Sequence, residues 1–65
     1  MNDIHLSILN MMSENEYISA KDVAEKCNCS DKTIRTRIKE INNDIKGAQI
    51  VSKPRYGYHL VITDN

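Results

Sequence analysis

The strongest constraint on how this chain folds is a helix start signal given twice in close succession. Ser19 precedes Asp22 at capping-box spacing, in which a serine hydroxyl accepts from the third helical amide. Ile18 and Val23 stand on either side as the arms of a hydrophobic staple. Ser30 then repeats the signal, with Cys29 and Ile34 as its staple. Two helices that start separately cannot form one rod. The spacing therefore predicts a short helix over about 20–27, a break at Asn28, whose side chain tolerates left-handed backbone, and a new helix from about residue 31. Together they make a helical corner.

The second helix of the corner carries its own buried face. Ile34, Ile38, Ile41 and Ile45 recur at i, i+4, i+7 and i+11, which predicts a helix over about 31–46, ended by Gly47. Upstream, Ile4, Ile8, Met11 and Met12 recur at i, i+4, i+7 and i+8 with Leu9 beside them. That pattern predicts an amphipathic helix over about 3–13, started by Asn2 or Asp3, with the methionines packed in the core. Tyr17-Ile18 is long enough only to pair at the edge of a small sheet. Beyond Gly47 the period falls to two. Gln49–Ser52 and Tyr58–Ile62 are rich in strand formers, and Lys53-Pro54-Arg55-Tyr56-Gly57 between them is a turn, so the chain closes in a β-hairpin with a basic tip. Tyr58, Leu60 and Ile62 are expected inward, with His59, Val61 and Thr63 outward.

Sixty-five residues make a single domain, 1–65, with a small core. Cys27 and Cys29 are too close for an unstrained disulfide, so reduced thiols and a cytoplasmic setting are expected. No apolar run reaches bilayer-spanning length, and no membrane role is expected. The nine basic and nine acidic residues cancel, but they are not mixed along the chain. Residues 1–31 hold six acids and two bases, net −4, whereas residues 32–65 hold seven bases and three acids, net +4. Such asymmetry points to a polyanion partner.

Helix, helix, turn, longer helix and hairpin is the order of a winged helix-turn-helix domain, an α+β fold of three helices and a C-terminal wing. In that arrangement the longer helix enters the major groove of duplex DNA. With the isoleucines turned inward, at about 100° per residue, Lys32, Thr36, Lys39 and Asn43 lie opposite them, with Thr33 and Arg35 on the flanks. The N-terminal part of such a helix meets the bases, which makes Lys32, Thr33, Arg35 and Thr36 the base-edge candidates. Ser30, Arg37 and Lys39 are expected on phosphates, and Lys53, Arg55 and Tyr56 at the hairpin tip on backbone or minor groove.

Other chemistries are poorly served. Cys27, Cys29, His5 and His59 are four conceivable zinc ligands, but the cysteines are separated by a single residue and sit at apolar packing positions. No metal and no cofactor is expected. His5 on the first helix and His59 on the hairpin have no serine, cysteine or carboxylate placed beside them by sequence, so no catalytic role is expected.

The stretch from Tyr17 to Arg35 resembles the N-terminal helix-turn-helix of bacterial transcription regulators, and Ile50 to Leu60, with its Gly57-Tyr58-His59-Leu60 ending, looks like their wing. The resemblance covers about residues 4–62. It extends to the biotin-operon repressor and deoxyribose-repressor-type regulators, and is nearest to activators carrying phosphotransferase-system regulation domains. Relatives often have glycine where this chain has Asn28, and some carry an acidic residue where it has Arg37. The resemblance implies sequence-specific binding of double-stranded DNA, control of a sugar-uptake operon, and a place at the N-terminus of a longer regulator that dimerises through C-terminal domains. The alternative is a winged-helix protein-interaction module without DNA binding. Basic residues at Lys32, Arg35 and Lys39 favour DNA.

Overall fold

The computed structural model of the chain describes residues 3–63. Its elements follow in the order α1 (Asp3–Met11), α2 (Ala20–Cys27), α3 (Asp31–Asp44), β1 (Ala48–Lys53) and β2 (Gly57–Ile62). Three helices followed by an antiparallel hairpin make the expected winged helix-turn-helix arrangement.

Both start signals act as read. The Ser19 hydroxyl accepts from the Asp22 amide at 3.1 Å, and the Ser30 hydroxyl accepts from the Thr33 amide at 3.2 Å. Asn28 adopts the left-handed conformation at φ 55° and ψ 45°. The Asn28 amide donates to the Glu25 carbonyl at 3.2 Å and the Cys29 amide to the Ala24 carbonyl at 2.9 Å. That pair of bonds is a Schellman motif, which also calls for an apolar residue at the position Cys29 holds. Cys29 packs against the core that contains Ala24. The corner is thus closed by backbone hydrogen bonds and by a thiol used as a small hydrophobe.

Ile8, Val23, Ile34 and Ile41 are fully buried at the junction of the helices, and Met12, Ala24, Ile38 and Ile50 complete the core. Several boundaries differ from the sequence reading. α1 stops at Met11 rather than 13; Asp3 is already helical, and Asn2 lies outside the described residues. α3 stops at Asp44 rather than 46, because Ile45 turns extended at φ −85° and ψ 151° while its side chain still packs against the core. Gly47, at φ 80°, then reverses the chain one residue before β1. The hairpin is longer than expected by Ala48, Lys53 and Gly57.

The register pairs Ile50 with Leu60 and Ser52 with Tyr58. Tyr58 and Leu60 face the core as expected, but Ile62 is 51% exposed, since it sits at the open end of the ladder opposite Ala48. Both edges of the hairpin are tied down. On the β2 edge Ile18 forms an antiparallel bridge to Tyr58, the small edge pairing foreseen for Tyr17-Ile18, and the Leu60 amide donates to the Ser13 carbonyl at 2.9 Å. The approach of Ile18 is close enough that a Cβ on Gly57 would lie 2.3 Å from the Ile18 carbonyl oxygen. On the β1 edge the Asn42 side chain donates to the Ile50 carbonyl at 3.0 Å and accepts from the Ile50 amide at 2.8 Å. One carboxamide from α3 therefore does what a neighbouring strand would do.

Candidate nucleic-acid interface

α3 divides its surface among three neighbours. Its isoleucines face the core, and Asn42 reaches β1. Glu40 and Arg37 face α1, where Glu40 Oε1 lies 2.8 Å from His5 Nε2 and accepts from Arg37 Nη1. The remaining side is open. Lys32, Arg35, Thr36 and Lys39 are exposed there, while Thr33 is half-buried.

Arg35 and Lys39 also line one wall of a groove of about 750 Å³ whose opposite wall is the hairpin, with Lys53 and Arg55 on it. Four basic residues, two from α3 and two from the hairpin, thus line one groove. Among the described residues, no acidic side chain lines it. The neutral total charge hides this arrangement, since the acids lie elsewhere on the chain.

The hairpin tip is a three-residue turn, Pro54 to Tyr56, closed by the Tyr56 amide donating to the Lys53 carbonyl at 3.0 Å. Arg55 has φ 75°, so proline in the second position and a left-handed residue in the third give a type II turn. Glycine or asparagine is favoured in that third position, and here an arginine occupies it. Tyr56 is 57% exposed and stacks beside Tyr17, with ring centroids 5.2 Å apart.

The hydroxyls of Ser30, Thr33 and Thr36 are already engaged. Ser30 donates to Thr33 Oγ1 at 3.1 Å while capping α3. Thr36, exposed on α3, donates its hydroxyl hydrogen to the Lys32 carbonyl at 3.2 Å. Arg37 stands apart from Arg35 and Lys39, on the α1 side, with its charge matched by Glu40. Hydrogen bonds from His5 and then from Arg37 hold the Glu40 carboxyl below the usual glutamate range.

One expectation is corrected. His5 is only 7% exposed, and a carboxylate does stand beside it, because α1 crosses α3 and brings together residues that are 35 apart in sequence. It is a buried link between two helices. His59, outward on β2, is half-buried under the Tyr17 ring, with centroids 4.5 Å apart. Burial, and then its neighbour Cys29, push the Cys27 thiol up, opposite to the shift that activates a cysteine. Sequence reasoning missed Asn42, Glu40 and Tyr17. The spacing of Arg37 and Glu40 at i, i+3 carried a signal for that pair; the partners of Asn42 and Tyr17 are set only by the tertiary fold.

A family model described as an HTH domain matches residues 5–59. This chain is a helix-turn-helix domain. The match runs from within α1 to the middle of β2, so the family covers the corner, all of α3 and β1, and the hairpin turn. Such domains are DNA-binding modules of transcription regulation rather than catalysts. Neither the curated proteins nor the solved structures give a match to the chain. Among the described residues, no helix of the domain is long and apolar enough to cross a membrane.

Proposed function

We propose that the domain reads duplex DNA in a sequence-specific way, with α3 in the major groove and the β1–β2 hairpin as a wing on the flanking backbone or minor groove. The observation that supports this reading is that Arg35 and Lys39 of α3 and Lys53 and Arg55 of the hairpin line one groove. Lys32, Thr33, Arg35 and Thr36 are the base-edge set. Arg35 suits a bidentate contact with guanine, and the Thr36 methyl suits a thymine methyl. Ser30, Lys39, Lys53, Arg55 and Tyr56 serve the backbone, with Arg37 the outlying member of that set. On the resemblance stated above, the domain belongs to a bacterial cytoplasmic regulator of sugar uptake, in which C-terminal domains pair two copies on adjacent half-sites.

Selection from a random duplex library, followed by titration at several salt concentrations, tests the proposal. The expected result is an enriched sequence motif and an affinity that falls as salt rises. Arg35→Ala should broaden the motif at one position, at a cost of about 1–3 kcal/mol for the preferred base, while Lys53→Ala weakens binding to all sequences alike. No binding at low salt to any duplex would overturn the reading in favour of a protein-interaction module. Uniform loss from Arg35→Ala would remove that residue from the base-reading set.

A further inference from the structure

Tyr17 lies between α1 and α2, outside both helices of the motif and outside the hairpin. Its neighbour Ile18 is clamped to β2, donating to the Tyr58 carbonyl at 3.0 Å and accepting from the Tyr58 amide at 2.7 Å. Successive side chains of an extended segment point to opposite faces. Ile18 packs against the core, so Tyr17 is sent to the outer face of the hairpin. There its ring meets His59 and Tyr56, at centroid distances of 4.5 Å and 5.2 Å. The Lys53 ammonium lies 4.9 Å from the Tyr56 centroid and 6.0 Å from that of Tyr17, both within reach of a cation–π attraction.

We propose that Tyr17 is a positioning residue for the wing, holding the Lys53 ammonium, together with Tyr56, where it meets a DNA phosphate. This rests on reading the hairpin as a DNA-contacting wing. A lysine on an exposed strand end samples many rotamers, and that freedom is lost when its ammonium docks. Two adjacent rings restrict it beforehand. Tyr56 rides on the turn itself, whereas Tyr17 is tied to the sheet through the Ile18 bridge and backed by His59. A ring face attracts the ammonium without neutralising it, so the charge remains available to a phosphate. Arg37 shows the contrast, since its charge is matched by the Glu40 carboxylate.

The test uses the 65-residue chain and a fluorescently labelled random-sequence duplex, titrated across a salt series. Tyr17→Leu removes the ring but keeps apolar bulk, and Tyr17→Phe keeps the ring. Tyr17→Leu is expected to weaken binding several-fold and to lower the slope of log affinity against log salt by up to about 0.9, the loss of one phosphate contact, as Lys53→Ala does. Tyr17→Phe restores both, and adding Tyr17→Leu to Lys53→Ala changes nothing further. A wild-type slope in Tyr17→Leu, or an equal further loss in the Lys53→Ala background, overturns the proposal and leaves DNA binding standing. Absence of duplex binding by the wild-type chain overturns both. An independent check is proton NMR of the wild-type chain: ring-current shifts on the Lys53 ε-methylene support the placement, and their absence overturns it.

Discussion

Replacing Asn42 by alanine leaves the amide and carbonyl of Ile50 without their partners on a strand that is 3% exposed at that point. Orphaning buried backbone groups costs about 1–3 kcal/mol each, so Asn42→Ala should lower the urea midpoint well beyond an ordinary surface change, without altering the residues proposed to face DNA. Urea melts followed by circular dichroism check this. Arg55 is the opposite case, a residue whose backbone works against stability. A non-glycine side chain at φ 75° carries a left-handed penalty of about 1–2 kcal/mol. Glycine relieves it, although its greater freedom in the unfolded chain offsets part of the gain. Arg55→Gly is therefore expected to raise stability by up to about 1 kcal/mol and to weaken duplex binding. Melts and titrations on the same variant read both effects, and equal or stronger binding would show that the tip cation is not used.

At the scale of the elements, α3 gives different sides to different neighbours. α3 meets α1 through the Glu40 carboxylate, which bridges His5 and Arg37. Because the Glu40 carboxyl is held below the ordinary glutamate range, its contribution to stability is present above that range. It is lost as the pH falls through the folded-state value. Melts between neutral pH and about pH 3 are expected to show the wild-type chain losing more of its melting temperature than Glu40→Gln, which lacks this charge at every pH. Parallel losses in the two proteins would remove the link from the stability of the α1–α3 contact. The hairpin, for its part, is stable because it is not isolated. Two strands alone are marginal in water; here Asn42 lines one edge, and Ile18 and Ser13 line the other.

For the whole molecule, a core with eight buried apolar residues among those described must hold three helices and a hairpin together. Total stability of a domain this size is about 5 kcal/mol, and truncating a buried isoleucine costs about 2–5 kcal/mol. Ile41→Ala, at a position with 0% exposure, should therefore bring the domain close to unfolding at room temperature. Loss of cooperative melting by circular dichroism checks it, and a shift of only a few degrees would mean that the site collapses around the cavity. On the proposed function, DNA contact and stability are separated in space. The isoleucines of α3 serve the core, and the cations beside them serve the groove, so core variants act on DNA binding only through the folded fraction.

The chain order of the elements was written in the sequence because each signal is local. The caps at Ser19 and Ser30, the left-handed Asn28 and the isoleucine stripe of α3 involve residues within a few positions of one another, and backbone chemistry fixes their outcome. The open face of α3 followed from the same stripe, which is why Lys32, Arg35, Thr36 and Lys39 were legible as an exposed set. What only the tertiary structure decided are the contacts between segments distant along the chain. His5 meeting Glu40, Asn42 standing in for a strand, Tyr17 reaching the wing, and the shared groove of Arg35, Lys39, Lys53 and Arg55 all depend on how helices cross and where the hairpin lies. No periodicity encodes those distances. They arise when burial of one small core fixes every element at once, and that packing brings the basic residues of α3 and the wing together in one groove.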